Sequence, residues 1–326
     1  MYTGLKHTEE AKKYFGVNWA LTTKCNFRCS YCHPDLHNGK IKTADYSVVS
    51  GFVNRIFDHC DERGLVPYFE YGGGEVTYLK WFGDLLSLIN QRGGLVSIIS
   101  NGSSSLDWWR THVSALHSAC LSFHVEEVGD HERFIEVVRI VEQSPTTILH
   151  VNVMMLPERF EECLSFAKRL REEVACSISL QPLYHGFGSP SLKGRFHYDD
   201  EQDEIMKSFR GRESEKRLPE PRGYMVAVNQ AGEEEKKAVF DLLVEQKTNF
   251  TGWQCNAGIE NIIVMFSGEI HRAWCMQGGM IGHISDDNLF LPERPMVCQT
   301  TICQCGADIC STKIKVDTVQ IPIMMV

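Results

Sequence analysis

The chain has 326 residues, 43% of them hydrophobic and 23% charged, with a formal net charge of −9 and a pI near 5.8. That length suffices for one large domain, or one domain with a small appendage. The acidic balance disfavours a nucleic-acid partner, no stretch approaches the ~20 apolar residues of a membrane span, and the polar opening MYTGLKHTEEAKKYFG is not a signal peptide, so a cytoplasmic protein is expected.

Residues 17–22 (VNWALT) read as a short strand that ends just before the first cysteines. Asp45 can cap a helix running to about Arg63, with Gly64 closing it. Residues 66–71 are a strand leading into Gly72-Gly73-Gly74-Glu75. From there helix and strand alternate: helices over 79–91, 105–118 and 130–142, strands over 94–100, 119–125 and 147–154. Pro157 opens a helix to about Glu173, and 174–181 is a sixth strand. Six βα units in a row predict an α/β fold with a parallel sheet, a partial (βα)6 TIM-like barrel too short to close. Ligands then bind at the C-terminal ends of the strands. The first cysteines, the GGGE run, Ser100-Asn101-Gly102 and His124/Glu126 all fall there, which implies one shared active site.

Residues 185–222 break the pattern with Gly, Pro, Ser and charge, and read as a loop or lid carrying one short helix near 200–209. A helix at about 233–247 follows. The remainder, 250–326, is a small Cys-rich α+β module. The expected division is a core over 1–184, a linker or lid over 185–249 and this module.

Three of the thirteen cysteines sit near residue 30 and six lie between 255 and 310. In a reducing compartment such clustering points to metal or catalysis rather than disulfides. Cys25, Cys29 and Cys32 have the spacing C-x3-C-x2-C, three thiolates on one loop that hold three corners of a cube-shaped cluster and leave one iron open. A zinc knuckle is the rival reading, with His33 or His37 as fourth ligand. Glycines 73 and 74 let backbone approach a ligand, and the Glu75 carboxylate can pair with an ammonium. Ser100 and Asn101 are polar groups at a strand end or simply a turn. His124 and Glu126 share a sheet face by period two, and Asn152 and Gln181 lie on later strands.

In the C-terminal module, Ile262–Phe266, a Ser267-Gly268 turn and Glu269–Trp274 read as a hairpin that brings Cys255 near Cys275. Cys298, Cys303 and Cys305 can supply the rest of a second metal site, which a structural zinc would also fit.

With Tyr31 at its aromatic position, the first motif resembles that of the radical S-adenosylmethionine (SAM) superfamily. The resemblance implies a [4Fe–4S] cluster whose open iron binds SAM, reductive cleavage to a 5′-deoxyadenosyl radical, and hydrogen abstraction from substrate. It implies SAM contacts from Gly73, Gly74 and Glu75, and from Ser100, Asn101, Glu126 and His124, with Asn152 and Gln181 as further cofactor-facing positions. The C-terminal module resembles SPASM/twitch domains, implying a second [4Fe–4S] cluster on Cys255, Cys275 and two of Cys298, Cys303 and Cys305. Some members return a hydrogen atom from a thiol, for which Cys120 and Cys310 are considered, along with Cys176. The expected activity is epimerisation or dehydrogenation of a sugar or other small metabolite. A peptide substrate is the enzymatic alternative, and an Fe–S or zinc scaffold the non-enzymatic one. A flavodoxin- or ferredoxin-type electron donor is implied.

Overall fold

The computed structural model describes residues 2–185, 194–212, 214, 216–303 and 305–315. The chain begins with β1 (Tyr2–His7) and β2 (Tyr14–Thr22), followed by α1 (Tyr46–Asp61) and β3 (Val66–Gly73). Then come α2 (Phe82–Gln91), β4 (Leu95–Ser100), α3 (Leu106–His112), β5 (Ser118–Phe123) and α4 (His131–Gln143). The repeat ends with β6 (Ile148–Met155), α5 (Phe160–Glu173), β7 (Ser177–Pro182) and α6 (Asp200–Ser208). The remaining elements are β8 (Tyr224–Asn229), β9 (Glu234–Ala238), α7 (Val239–Val244), β10 (Trp253–Cys255), β11 (Asn261–Val264), β12 (Glu269–His271), β13 (Met280–His283), β14 (Met296–Val297), α8 (Gly306–Ile309) and β15 (Lys313–Lys315).

Two compact units result. One comprises Trp19–Val53 and Phe69–Leu218; the other comprises Met1–Asn18, Asn54–Tyr68 and Pro219–Val326. Residues 185–249, read as one linker, divide between the units, and the N-terminal residues fold with the C-terminal ones. The expected loop tip at 186–193 and the chain end at 316–326 lie outside the described residues.

The first unit is the α/β repeat. Its strands follow the order β2-β3-β4-β5-β6-β7, with parallel registers from β4 to β7. The order ends at β7, so the barrel is partial, as six βα units predict. The helices form where an apolar stripe recurs every three to four residues: α2 buries Phe82, Leu85, Leu86 and Ile89, and α4 buries Phe134, Ile135, Val137, Val138 and Val141. Side chains cap two of them, Ser105 at Trp108 N–H and Asp130 at Arg133 N–H. Alternate strand residues face these helices, among them Ile98, Leu121, Phe123, Val151, Val153 and Ile178, all buried. Phe123 stacks on Phe166, with Phe134 edge-on at 5.4 Å.

The opposite face of these strands is different in kind. It carries Ser97 and Ile99 on β4, Cys120 and Ser122 on β5, His150 and Asn152 on β6, and Ser177, Ser179 and Gln181 on β7. The register sets Ile99 beside Cys120, Cys120 beside His150, and His150 beside Ser177.

The second unit contains a sheet in the order β14-β10-β15-β1-β8-β9, with antiparallel pairings. The helix expected at 233–247 is instead strand β9 followed by the short α7. The reason is local. Gly232 takes φ +80, the Asn229 side chain accepts from Ala231 and Glu233 N–H, and the charged run Glu234–Lys237 then pairs with β8. The predicted hairpin is present as β11 and β12, extended by β13.

Glu260 ties the two ends of this unit together. Its Oε2 lies 3.1 Å from His7 Nε2 and accepts from Thr312 N–H, while Oε1 accepts from the Asn256 amide. Burial pushes its pKa up, but His7 and the two amide donors outweigh that and bring it down to about 2. A folded-state pKa below the ordinary value of 4.5 contributes stability above that pH, which is lost as pH falls from about 4.5 to 2. Thermal denaturation followed across this window is therefore expected to show a falling midpoint in the wild type and a flatter profile in Glu260→Gln.

Candidate active site

The cysteine loop starts where β2 ends. Of its three thiols, Cys29 is buried and Cys25 and Cys32 are half-buried. Burial raises all three pKa values, to about 12 for Cys29 and about 11 for Cys32, and proximity adds to it: Cys25 and Cys32 act on Cys29, and Cys25 on Cys32. Three mutually repelling, desolvated thiols ionise only when cations join them. Among the described residues, no three His, Cys, Asp or Glu side chains close on one point as a single ion requires. The three donors are all thiols on one short loop, a set that suits an iron–sulfur cluster. His33 instead accepts from Asp35 N–H.

Each flanking strand end fastens this loop. After β3, Gly74 N–H donates to Thr22 O and Glu75 N–H to Lys24 O, both at 2.7 Å. A Cβ on Gly74 would lie 2.2 Å from the Lys24 carbonyl oxygen, so only glycine fits. Gly73, at φ +117, makes the turn possible.

Glu75 is fully buried and both carboxylate oxygens are occupied by protein donors. Oε1 accepts from Thr77 N–H, Thr77 Oγ1 and Ser100 Oγ, and Oε2 accepts from Asn101 N–H. Through these bonds Glu75 joins the ends of β3 and β4. Burial raises its pKa, and these hydrogen bonds pull the other way.

After β4, Asn101 Nδ2 donates to Asn26 Oδ1 at 3.0 Å and lies 3.7 Å from Cys25 Sγ. Ser103 Oγ donates to the same Asn26 oxygen. After β5, His124 Nδ1 sits 2.5 Å from Tyr31 Oη and 3.3 Å from Cys29 Sγ, with its ring stacked on Tyr31. Burial lowers the His124 pKa to about 4, so the ring is neutral and Nδ1 accepts from the tyrosine hydroxyl. Glu126 takes Ser30 in a two-point grip, accepting from its N–H at 2.9 Å and its Oγ at 2.8 Å. It too clamps the loop in this structure. The partners Thr77, Asn26 and Ser30 carried no sequence signal, because short polar residues in loops are too common to stand out.

A cleft of about 200 Å³ adjoins the loop, lined by Phe27, Asn101, Ser103, Glu127, Asp130 and Arg133 among others. Arg133 holds its wall by donating to the Gly102, Ser103 and Ser104 carbonyls.

The remaining sequence-derived positions separate into two groups. On the inner sheet face, Asn152 Nδ2 donates to Cys120 Sγ at 3.2 Å, His150 Nε2 lies 3.0 Å from Asn152 Oδ1, and His150 Nδ1 lies 2.9 Å from Ser177 Oγ. Gln181 donates to Pro182 O. In the second unit, Cys255, Cys298 and Cys303 are buried in one apolar core against which Cys310 packs. Cys275 is exposed and Cys305 half-buried. Cys310 closes α8, and its carbonyl accepts from His7, which places it with the C-terminal cysteines.

Comparison with known proteins identifies the segment that carries this loop. The Radical SAM superfamily model matches residues 19–170, which span the cysteine loop and all three strand ends that hold it. Residues 19–170 are a radical SAM domain. An S-adenosylmethionine-dependent nucleotide dehydratase from Selenomonas ruminantium is 33% identical over 95 residues, 28% of this chain and 32% of that protein. The fold resembles Streptococcus suis SuiB bound to S-adenosylmethionine, with TM-score 0.51 and 12% identity over 85% of this chain and 64% of SuiB. It also resembles anSMEcpe with bound AdoMet, with TM-score 0.50 and 14% identity over 84% of this chain and 78% of that one. Thus the chain aligns with about a third of the dehydratase and just under two thirds of SuiB. Radical SAM enzymes use a [4Fe–4S] cluster and SAM, and need a substrate and an electron donor. Among the described residues no helix is long and apolar enough to cross a membrane.

Gly74→Ala is expected to push the Lys24 carbonyl out of place, at a cost of about 1–3 kcal/mol. Iron and sulfide assays after anaerobic reconstitution should show that variant losing cluster from the first motif. Glu75→Gln puts an NH2 against groups that donate to the carboxylate, and should lower the melting temperature along with the iron content.

Proposed function

We propose that this chain is a radical SAM epimerase acting on a neutral, hydroxyl-rich small molecule, with Cys120 as the hydrogen-atom donor. The observation that carries the reading is the inner sheet face. On β4 to β7 the strand residues on it are hydroxyls, amides, a thiol, an imidazole and a few apolar groups with no fixed charge, and β3 adds the carboxylate Glu70 and no cation. Burial lowers the His150 pKa, so the ring stays neutral. Such a surface matches a sugar-like substrate that both donates and accepts hydrogen bonds, and offers nothing to neutralise a phosphate.

The Cys120 thiol is suited to giving up a hydrogen atom. Burial pushes its pKa up to about 12, which keeps the hydrogen on sulfur at neutral pH. The chain Ser177–His150–Asn152 fixes its orientation. With His150 neutral, Ser177 O–H donates to Nδ1, Nε2–H donates to Asn152 Oδ1, and the Asn152 amide donates to sulfur, leaving the S–H hydrogen free to point elsewhere.

Cys25, Cys29 and Cys32 would hold the cluster, and the cleft beside Asn101 would take SAM. When bound, they supply the radical that removes a substrate hydrogen. Cys120 then returns a hydrogen atom to the opposite face. The thiyl radical left behind is restored by one electron, ultimately from a flavodoxin- or ferredoxin-type donor, and one proton. The C-terminal cysteines Cys255, Cys275, Cys298, Cys303 and Cys305 would hold a second cluster.

The reading is tested by turnover in D2O with reductant, SAM and a panel of neutral sugars and cyclitols. The wild type should place one deuterium on product carbon, and Cys120→Ala should still form 5′-deoxyadenosine while losing that label. Equal label in both proteins would eliminate Cys120 as donor. Turnover of a peptide or a nucleoside triphosphate with none on the sugar panel would overturn the substrate class.

A further inference from the structure

Lys313 is 1% exposed, among the most deeply buried side chains of the second unit. An ammonium that leaves water costs several kcal/mol unless its protons and its charge are both compensated. The protons are: Nζ donates to the carbonyls of Asp308, Ile309 and Ser311, where α8 ends. The Phe250 ring lies 5.1 Å away and adds a favourable quadrupole. The carbonyls, however, supply dipoles and no net charge.

The position of Lys313 in the sheet shows where that charge acts. In the β10–β15 pair, Lys313 stands directly opposite Cys255. Opposed residues in an antiparallel ladder project from the same face, with Cβ atoms about 5 Å apart. The core on that face contains Cys255, Cys298 and Cys303. The buried Asp308 carboxylate is close enough for Lys313 to act on it electrostatically, and its oxygens accept from Trp274 N–H at 3.0 Å and Cys275 N–H at 3.1 Å. A lysine and a carboxylate are thus built into one cysteine-rich core, and the lysine acts electrostatically on Cys255 and Cys303.

We infer that Lys313 is the counter-charge of an iron–sulfur cluster held by the C-terminal cysteines, and that it raises the reduction potential of that cluster so that it accepts electrons. This rests on the reading of those cysteines as a cluster site. A thiolate-ligated cluster is net negative and becomes more so on reduction, so a buried cation nearby stabilises the reduced form. Ligand chemistry at the cysteines and the charge at Lys313 are separable: the lysine coordinates nothing.

The test uses the full chain with Cys25, Cys29 and Cys32 changed to alanine, so that only the second cluster contributes. Iron is counted, and the midpoint potential is read by EPR-monitored redox titration, for the parent and for Lys313→Gln, Lys313→Met and Lys313→Arg. In the two neutral variants the reduced fraction at fixed potential should fall about tenfold, equivalent to about 59 mV for a one-electron couple. Lys313→Arg should stay near the parent. Loss of iron from both neutral variants with retention in Lys313→Arg supports the same conclusion, because charge is then what the cluster requires. An unchanged potential at full iron content overturns it and leaves Lys313 a helix cap. Equal loss of iron from all three variants overturns it too, because shape is then the requirement. A parent without iron would instead refute the cluster reading of the C-terminal cysteines, and is distinguished by failing before any lysine is changed.

Discussion

The attachment of one loop to three strand ends organises the radical SAM domain. Cysteines spaced within eight residues cannot by themselves fix a cluster's position, since a loop of that length samples many conformations. Here the GGGE turn holds the loop's start at Thr22 and Lys24, Asn101 holds it at Asn26, and Glu126 and His124 hold it at Ser30 and Tyr31. The contacts come from β3, β4 and β5, whose order the buried sheet enforces. Glu75 is central to this arrangement. Four protein donors converge on a carboxylate with no exposure, joining two strand ends that each contact the loop. Buried polar groups of this kind are costly unless fully satisfied, and this one is.

The same sheet presents two chemically opposed faces. Toward the helices it is apolar and closely packed, with stacked phenylalanines. Toward the interior it carries a hydrogen-bonded row in which Ser177, His150, Asn152 and Cys120 come from three different strands. The parallel register makes that row possible, because it sets Cys120, His150 and Ser177 side by side. Fold and proposed chemistry are therefore joined at the level of strand pairing: a shift of β6 by one residue would turn His150 and Asn152 into the apolar layer.

Much of the first unit was legible in the sequence, because hydrophobic periodicity and caps act locally. The boundaries of α1, α4 and β4 to β6 follow within a few residues. The C-terminal hairpin was legible from its Ser267-Gly268 turn. What escaped depended on distant partners. Residues 2–7 form a strand only because β8 and β15 flank them. The charged run Glu234–Lys237 looks helical until β8 is present to pair with it. Glycines 73 and 74 and Glu75 read as a group at a strand end from sequence alone, whereas the partners of the Glu75 carboxylate, Thr77, Ser100 and Asn101, are matched to it only in three dimensions. Lys313 gave no signal either, since a lysine near a chain end reads as solvated until the sheet buries it.

The account stands on the first cysteine motif being an iron–sulfur site that cleaves SAM. Anaerobic reconstitution followed by metal analysis addresses this directly, comparing the wild type with the Cys25, Cys29 and Cys32 triple alanine variant. The account predicts about four fewer iron atoms per chain in the variant, and reductive formation of 5′-deoxyadenosine by the wild type alone. Zinc in place of iron, or equal 5′-deoxyadenosine from both proteins, would contradict it.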